Sequence, residues 1–383
     1  MNLTGTIISQ LTPSGRGAVA SILVAGPRAF EFVGRHFSPA SGKALAEFPI
    51  GRVVFGSFRS LETAAEEVVV GLHAPGHLEI HCHGGAFAAA AVMKRLAQEG
   101  AEIVPWQQVA ERVEPDRIAA EARIALAEAW TEKTAAILLD QYHGALRNCL
   151  GEIASSVESQ PDSLAMPMAR LQRLLDLAPL GKHLTRPWRV FIAGAPNVGK
   201  SSLMNALVGY QRSIVFDQPG TTRDLLTATT ALDGWPIELV DSAGLRESND
   251  AIEAAGVARA TAGLADADLV LWVEDATATA SPDPRVARPQ VCAGVLELVV
   301  RNKADLIQSR PPLQTVDAIA ISALTGQGLD QLCQQIIQRL IPAPPTRGEA
   351  ILFTSRQENA VREAAAALSS GNSAVAAALL RSL

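Results

Sequence analysis

One short segment constrains the fold of this chain more than any other. Gly194-Ala195-Pro196-Asn197-Val198-Gly199-Lys200-Ser201 follows an apolar run with β character, residues 189–193, and precedes a helix-like stretch, residues 201–207. Between a strand and a helix, this spacing lets backbone N–H groups and the positive end of the helix surround phosphate oxygens. We therefore predict a phosphate-binding loop inside an α/β domain.

Two polar segments downstream carry groups suited to a magnesium ion. Gly220-Thr221-Thr222 lies in a polar loop after the first helix, where a threonine hydroxyl can complete the metal shell beside a γ-phosphate. Asp241-Ser242-Ala243-Gly244 ends an apolar run and brings a carboxylate near the metal and a glycine N–H near the γ-phosphate. We predict that Lys200 reaches the β- and γ-phosphates, and that Ser201 and Thr222 bind Mg²⁺.

The last two segments identify the base. Asn302-Lys303-Ala304-Asp305 follows a third β run, and the Asp305 carboxylate can accept both hydrogen bonds from the N1 and N2 edge of guanine, which adenine does not offer. Ser322-Ala323-Leu324 follows a fourth run and supplies backbone that packs over the base. Because the segments occur in the required order, the sequence predicts GTP as the ligand.

Hydrolysis requires a group that orients water, and the usual glutamine position after the Asp-x-x-Gly turn is Leu245. Asn197, inside the phosphate loop, is a candidate ligand for a monovalent cation placed where an arginine finger would lie. Glu253, on the helix predicted after Gly244, is a candidate for orienting water. Taken alone, Asn197 is more often a turn residue and Glu253 more often a solvated helix residue.

The rest of the chain predicts a multidomain protein of α/β and α+β parts, because 383 residues exceed one ordinary core. Residues 1–113 read as a small α+β domain. Residues 114–185 read as the first part of a helical domain, in which a polar break at 155–163 separates helical stretches. Residues 186–345 read as the GTP-binding domain, a mostly parallel sheet with helices on both faces, and 346–383 as the second helical part. The α/β domain is therefore predicted to be inserted in the helical one.

Composition restricts the class of protein and the compartment that we expect. The net charge of -6 excludes a global basic field that would hold nucleic acid nonspecifically. The four cysteines form no CxxC pair, which argues against a disulfide framework and a cysteine zinc site. With no signal-like start and no run of about 18 apolar residues, we expect a cytoplasmic protein with no membrane partner.

Several segments resemble the MnmE family of tRNA modification GTPases, also called TrmE. The likeness is carried by residues 197–202, Pro219-Gly-Thr-Thr-Arg-Asp224, residues 241–247, Thr12-Pro-Ser-Gly-Arg-Gly17, Leu78-Glu-Ile-His-Cys-His-Gly-Gly85 and Thr354-Ser-Arg-Gln357. It is strong in the GTP-binding domain and patchy elsewhere.

The resemblance implies a homodimer whose N-terminal domain holds formyl-tetrahydrofolate, with Glu79 at the pterin. It also implies that an MnmG-like flavoprotein and tRNA are partners, and that the wobble uridine is modified. By resemblance, Asn197, Lys200 and Glu253 are catalytic and Mg²⁺ and K⁺ are bound. The K⁺ ligands implied are Asn197, Phe216, Gln218 and Thr221. The nucleotide contacts implied are Asn197, Val198, Gly199, Lys200, Ser201, Ser202, Phe216, Asp217, Gln218, Pro219, Gly220, Thr221, Thr222, Asp241, Ser242, Ala243, Gly244, Asn302, Lys303, Ala304, Asp305, Ser322, Ala323 and Leu324.

Departures from the family keep a second hypothesis open. Leu23 stands where the family has an arginine, a family lysine is replaced near Glu114, and the chain ends at Leu383, before the family's last helices. Fewer cationic groups would weaken a site for an anionic folate. The alternative is a divergent GTP-dependent switch or scaffold that binds RNA, the ribosome or protein.

One further segment has three readings. His77, Glu79, His81 and His83 share a face of a predicted strand at period two. They could form a metal site, the wall of a folate or dimer site, or an ordinary half-buried polar face.

Overall fold

The computed structural model describes residues 3–13, 15, 17–60, 65–159, 163–210, 226–241, 266–278, 294–307 and 318–383. The chain forms two compact units that divide between Ile124 and Ala125. Within the described ranges, no helix combines the length and apolar character needed to cross a membrane. The domain boundaries at 113, 185 and 345 stay predictions.

The described part of the first unit is built on a seven-stranded sheet in the order β3-β4-β5-β6-β2-β1-β7. Neighbouring strands are antiparallel, except that β1 pairs with β7 in parallel. The strands are β1 (Ile7–Gln10), β2 (Val19–Ala25), β3 (Phe37–Pro39), β4 (Val53–Phe58), β5 (Glu66–Ala74), β6 (His77–His83) and β7 (Glu102–Ile103).

Helices cover this sheet unequally. The helices are α1 (Ala29–Gly34), α2 (Ala86–Gln98) and α3 (Trp106–Val113), and α4 (Arg117–Leu126) leads toward the second unit. The main core lies on the face of α1 and α2, where Ile22 and Ile80 are fully buried. On the opposite face, Val109 of α3 packs with Ile7 and Leu23. This arrangement confirms the predicted α+β character.

The second unit begins at Ala125, near the end of α4, and continues with helices α5 (Glu132–Tyr142), α6 (Ala145–Ser159) and α7 (Ala165–Lys182). The sequence predicted a polar break from 155 to 163, but α6 continues to Ser159. Ala154 and Val157 keep the buried face of the helix intact, so tertiary packing overrides the poor helix propensity of the serines.

A six-stranded sheet follows in the order β13-β12-β11-β8-β10-β9, parallel except for the β9–β10 hairpin. Its elements are β8 (Trp188–Gly194), α8 (Lys200–Gly209), β9 (Leu226–Leu232), β10 (Trp235–Asp241), β11 (Leu269–Asp275), β12 (Leu296–Asn302), β13 (Ala318–Ala320) and α9 (Leu329–Leu340). Val190 and Phe191 point to opposite faces and both are buried, so both faces of β8 are covered. This confirms the predicted mostly parallel α/β domain.

The chain then returns to the helices that precede this sheet. Helices α10 (Ser355–Ser369) and α11 (Ser373–Arg381) pack against α7 and α6 respectively. The buried Gln141 of α5 holds the connecting segment, because its side-chain amide donates to the Glu349 carbonyl at 3.0 Å and accepts from the Ile351 N–H at 3.1 Å. The α/β domain is therefore inserted between two helical parts, as predicted.

Candidate nucleotide site

The phosphate loop joins β8 to α8 and depends on two glycines. Gly194 has φ +153°, and a Cβ there would lie 2.3 Å from the carbonyl oxygen of Val273. Gly199 has φ +93°, and a Cβ there would lie 2.3 Å from Nδ2 of Asn302. Asn197 also adopts a left-handed backbone, with φ +64°. The loop therefore turns tightly against two neighbouring strands, as close backbone approach to phosphates requires.

Lys200 begins α8 with a buried side chain whose Nζ donates to the carbonyl oxygen of Ala195 at 2.9 Å. The ammonium group thus lies across the phosphate loop. A buried ammonium that bonds to the loop carbonyl is well placed to exchange that partner for phosphate oxygens, the stronger charge-assisted acceptors.

Two side-chain oxygen atoms that could bind a metal ion lie together at the carboxyl end of the sheet. Ser201 Oγ donates to Oδ2 of Asp241 at 2.7 Å, and Asp241 is fully buried at the end of β10. Strand β10 lies beside β8, with Asp241 opposite Ile192, which brings the carboxylate to the start of α8. A hydroxyl and a carboxylate oxygen are hard ligands that fit Mg²⁺.

Asn302 connects the predicted base-reading loop to the phosphate loop. Its Nδ2 donates to the carbonyl oxygen of Val198 at 2.9 Å, and its Oδ1 accepts from the N–H of Ala323 at 2.9 Å. The side chain is almost completely buried. One amide therefore links three segments of the chain, and its partner Val198 lies 104 residues away in sequence.

The loop after Asn302 places Asp305 in a single 3₁₀ turn, Ala304–Leu306. The turn is fastened to the end of the sheet, because the N–H of Ala304 donates to the carbonyl oxygen of Ile321 at 2.9 Å. Ser322 is buried and its Oγ accepts from the N–H of Thr325, whereas the Leu324 side chain is 86% exposed. The exposed side chain of Leu324 agrees with the prediction that this segment contributes backbone, and not side chains, to the contact with the base.

Part of the predicted site is not described by the structure. Two further predicted contacts are described: Val198, in the phosphate loop, is buried, and Ser202, on α8, is exposed. The predicted residues that lie outside the described ranges are Phe216, Asp217, Gln218, Pro219, Gly220, Thr221, Thr222, Ser242, Ala243, Gly244 and Glu253. Their roles stay predictions.

Sequence reasoning missed Asp275, the last residue of β11. Its Oδ2 accepts from Nζ of Lys303 at 2.6 Å, and its Oδ1 accepts from the N–H and Oγ1 of Thr277 at 2.9 and 2.6 Å. Burial acts to raise the pKa of Asp275, but the bonds from Lys303 and Thr277 together lower it below its ordinary value. A signal was available, since an aspartate that ends a parallel strand lies at the ligand-binding edge of such a sheet.

The polar face of β6 lies in the other compact unit. His77, Glu79 and His81 alternate with buried Leu78, Ile80 and Cys82, so the predicted period of two is observed. Oε2 of Glu79 lies 3.6 Å from Nε2 of His73 and 3.7 Å from Nε2 of His81. No group of three or more histidine, cysteine, aspartate or glutamate side chains in the described ranges is arranged to hold a metal ion. The metal reading of this strand therefore gains no support.

Comparison with known proteins gives a family. A family model described as 50S ribosome-binding GTPase matches residues 189–303. The tRNA modification GTPase MnmE of Symbiobacterium thermophilum is 31% identical, over 94% of this chain and 87% of the relative. MnmE of Koribacter versatilis is 32% identical, over 98% of this chain and 90% of the relative. Among solved structures, Era from Aquifex aeolicus is 30% identical over 43% of this chain and 59% of that chain, with a TM-score of 0.33.

The likeness extends over nearly the whole chain, and the phosphate loop, the Ser201–Asp241 pair and the Asn302 bridge form one site at the edge of the inserted sheet. The protein is therefore a GTP-hydrolysing member of the MnmE family of tRNA modification GTPases.

Proposed function

We propose that this GTPase acts in modification of the tRNA wobble uridine, as a homodimer that works with an MnmG-like flavoprotein. The observation that carries the proposal is sequence likeness to MnmE over at least 94% of the chain in the relatives described above, including both units. The test is mass spectrometry of tRNA nucleosides from a deletion strain. The proposal expects loss of the modified wobble uridine, and an unchanged nucleoside profile would reject it.

In the proposed nucleotide complex, Ser201 and Asp241 hold Mg²⁺ directly or through water, and Thr222 completes the shell. Magnesium supplies charge neutralisation between the phosphates when it is bound. Lys200 holds the β- and γ-phosphates from the side of the loop where its Nζ now contacts Ala195. The glycine-rich loop contributes N–H groups and keeps side-chain bulk out of the phosphate path.

Potassium dependence rests on the phosphate loop. Asn197 lies between Pro196 and the buried Val198 in a left-handed conformation that asparagine tolerates better than most residues. We propose that its side-chain oxygen helps to bind K⁺ with the segment 216–221, and that Glu253 orients water. GTP turnover should then be faster in KCl than in NaCl of equal ionic strength, and equal rates would remove the cation from the mechanism.

Dimerisation has a candidate surface in the first unit. Val53 and Phe55 of β4 lie on the sheet face opposite the main core and are 71% and 52% exposed. Exposed apolar neighbours of this kind favour protein contact. Phe55→Asp should convert the dimer to monomer in light scattering, whereas Met166→Lys, at an apolar position on α7 that is also exposed, should leave it dimeric. A Phe55→Asp variant that stays dimeric would place the interface elsewhere.

The fit to a folate is incomplete. Glu79 offers a carboxylate on an accessible face, with His73 and His81 beside it. Leu23, at the position of the family's arginine, is buried in an apolar cluster with Ile7 and Val109. No cation stands at that position, so we derive no step through the folate.

This substitution favours a second candidate function, a GTP-dependent switch or scaffold that binds RNA, the ribosome or protein without one-carbon chemistry. Titration with formyl-tetrahydrofolate separates the two candidate functions, because only the modification enzyme would use one-carbon chemistry. Saturable binding that Glu79→Ala abolishes supports the modification enzyme, and absence of binding together with an unchanged wobble uridine supports the switch.

A further inference from the structure

We propose that Asp275 is a positioning residue for the nucleotide: it fixes the side chain of Lys303 so that the lysine stem forms part of the wall against the guanine ring. The inference rests on the proposed nucleotide site and adds a residue that the sequence motifs do not contain. Asp275 would affect the affinity for any purine nucleotide, whereas Asp305 would affect which purine is preferred.

The sheet places the two residues together. Strands β11 and β12 are parallel neighbours in which Asp275 lies opposite Asn302, so the residue after Asn302 emerges beside the carboxylate. The N–H of Ala276 donates to the carbonyl oxygen of Asn302 at 2.8 Å, which holds the two strand ends in register. Asp275 is therefore attached to the base-reading loop by backbone as well as by its side chain.

Lys303 needs such an anchor because its backbone is unusual. Its φ of +68° lies in the left-handed region, which costs about 1 kcal/mol or more for a residue with a Cβ. Nζ of Lys303 lies 2.6 Å from Oδ2 of Asp275, and about two-thirds of the lysine side chain is buried. This ion pair fixes the far end of the side chain. With both ends fixed, the four methylene groups between them have little freedom left.

A lysine fixed in this way offers two distinct surfaces. Its ammonium is neutralised by Asp275, and its stem is an apolar strip that can pack on a flat ring. Asn302 precedes it and Asp305 follows two residues later, so the strip lies inside the loop that the guanine edge is proposed to meet. Thr277 occupies the second carboxylate oxygen and leaves Asp275 a single orientation toward Lys303.

The predicted consequence is specific. A ring face is common to all purines, so loss of the Asp275 anchor should weaken GTP and ITP by the same factor. Loss of Asp305 should instead change the ratio between them, because ITP lacks the 2-amino group. Asp275→Asn keeps the size of the side chain and an oxygen for Thr277 while it removes the charge that holds Lys303.

The experiment measures dissociation constants of GTP, ITP and ATP by calorimetry for the full chain with Mg²⁺. Asp275→Asn should raise the GTP and ITP constants together by roughly fivefold, as expected for a weakened charge-assisted hydrogen bond. The matched control is Glu274→Gln, which alters the adjacent ion pair to Arg301 on the same two strands and should stay within about twofold. Thermal unfolding of each variant reports whether the fold is intact.

A double-mutant cycle separates positioning from a structural effect. In a Lys303→Met background, Asp275→Asn should cause no further weakening, because the anchor no longer has a partner. The inference is overturned if Asp275→Asn binds GTP like the wild type, or if it weakens binding equally in both backgrounds. If the wild type itself fails to prefer GTP over ATP, the proposed nucleotide site fails instead.

Discussion

The side-chain amide of Asn302 donates a hydrogen bond to the carbonyl oxygen of Val198 at 2.9 Å, and this bond joins the base-reading loop to the phosphate loop. The same amide accepts from the N–H of Ala323, so the base-reading loop, the phosphate loop and the segment after β13 share one buried group. Movement of one loop must therefore disturb the other two.

We predict that Asn302→Ala lowers GTP affinity by at least tenfold. The change leaves the Val198 carbonyl and the Ala323 N–H without their partner, at about 1–3 kcal/mol for each unsatisfied buried group. The control is Gln141→Ala, which removes a comparably buried bridging amide in the helical part and should lower stability without altering GTP affinity. Calorimetry and thermal unfolding give the two readouts, and equal GTP affinity in both variants would contradict the bridge.

A second prediction concerns Gly199. An alanine Cβ at this position meets Nδ2 of Asn302 at 2.3 Å and is strained by φ +93°, so Gly199→Ala should abolish GTP binding. Gly209 is the last residue of α8, the helix that follows Gly199, and an added Cβ there would meet no atom within 4 Å among the described residues beyond its chain neighbours and the helix backbone. Gly209→Ala should therefore bind GTP normally. Retention of tight binding by Gly199→Ala would show that the loop tolerates a different path.

The nucleotide motifs show how far sequence reasoning reaches. Glycine spacing and the strand before it predicted the loop at 194–201, because phosphate binding leaves few alternatives for backbone conformation. The sequence could not show that Gly199 also makes room for Asn302, since that contact depends on the strand order, in which β11 lies between β8 and β12. The position of Asp275 at a strand end could have been read from the sequence, but its pairing with Lys303 could not, because that partner lies 28 residues away on the neighbouring strand's end.

Helix ends show the complementary weakness. Serines at 155 and 156 predicted a break in α6, but the buried stripe through Ala154 and Val157 carries the helix past them. Local propensity amounts to tenths of a kilocalorie for each residue, and burial of a valine side chain contributes about ten times as much. Where local helix propensity and burial of the apolar face disagree, burial determines whether the helix continues.

A third prediction concerns Asp305. Because the carboxylate is proposed to accept hydrogen bonds from guanine N1 and N2, Asp305→Asn should weaken GTP and strengthen XTP, whose base presents an acceptor where guanine presents a donor. Competition between GTP and XTP for a fluorescent nucleotide gives the ratio directly. An unchanged ratio would mean that another group reads the base.

Magnesium provides a fourth prediction. Ser201→Ala removes a proposed metal ligand and the hydrogen bond that the serine donates to Asp241. The GTPase rate of the wild type should fall on addition of EDTA and return with excess Mg²⁺, whereas Ser201→Ala should need a higher Mg²⁺ concentration for half-maximal rate. A variant with the wild-type Mg²⁺ dependence would exclude the hydroxyl from the metal shell.

Guanine nucleotide binding by the loop at 194–201 together with Asp305 underlies the proposed function. Isothermal titration of the purified full chain with GTP and with ATP, both in Mg²⁺, measures this without further assumptions. We predict saturable binding of GTP and none of ATP at the same concentration. No binding of GTP, or equal affinity for the two nucleotides, would contradict a guanine-specific site at this loop.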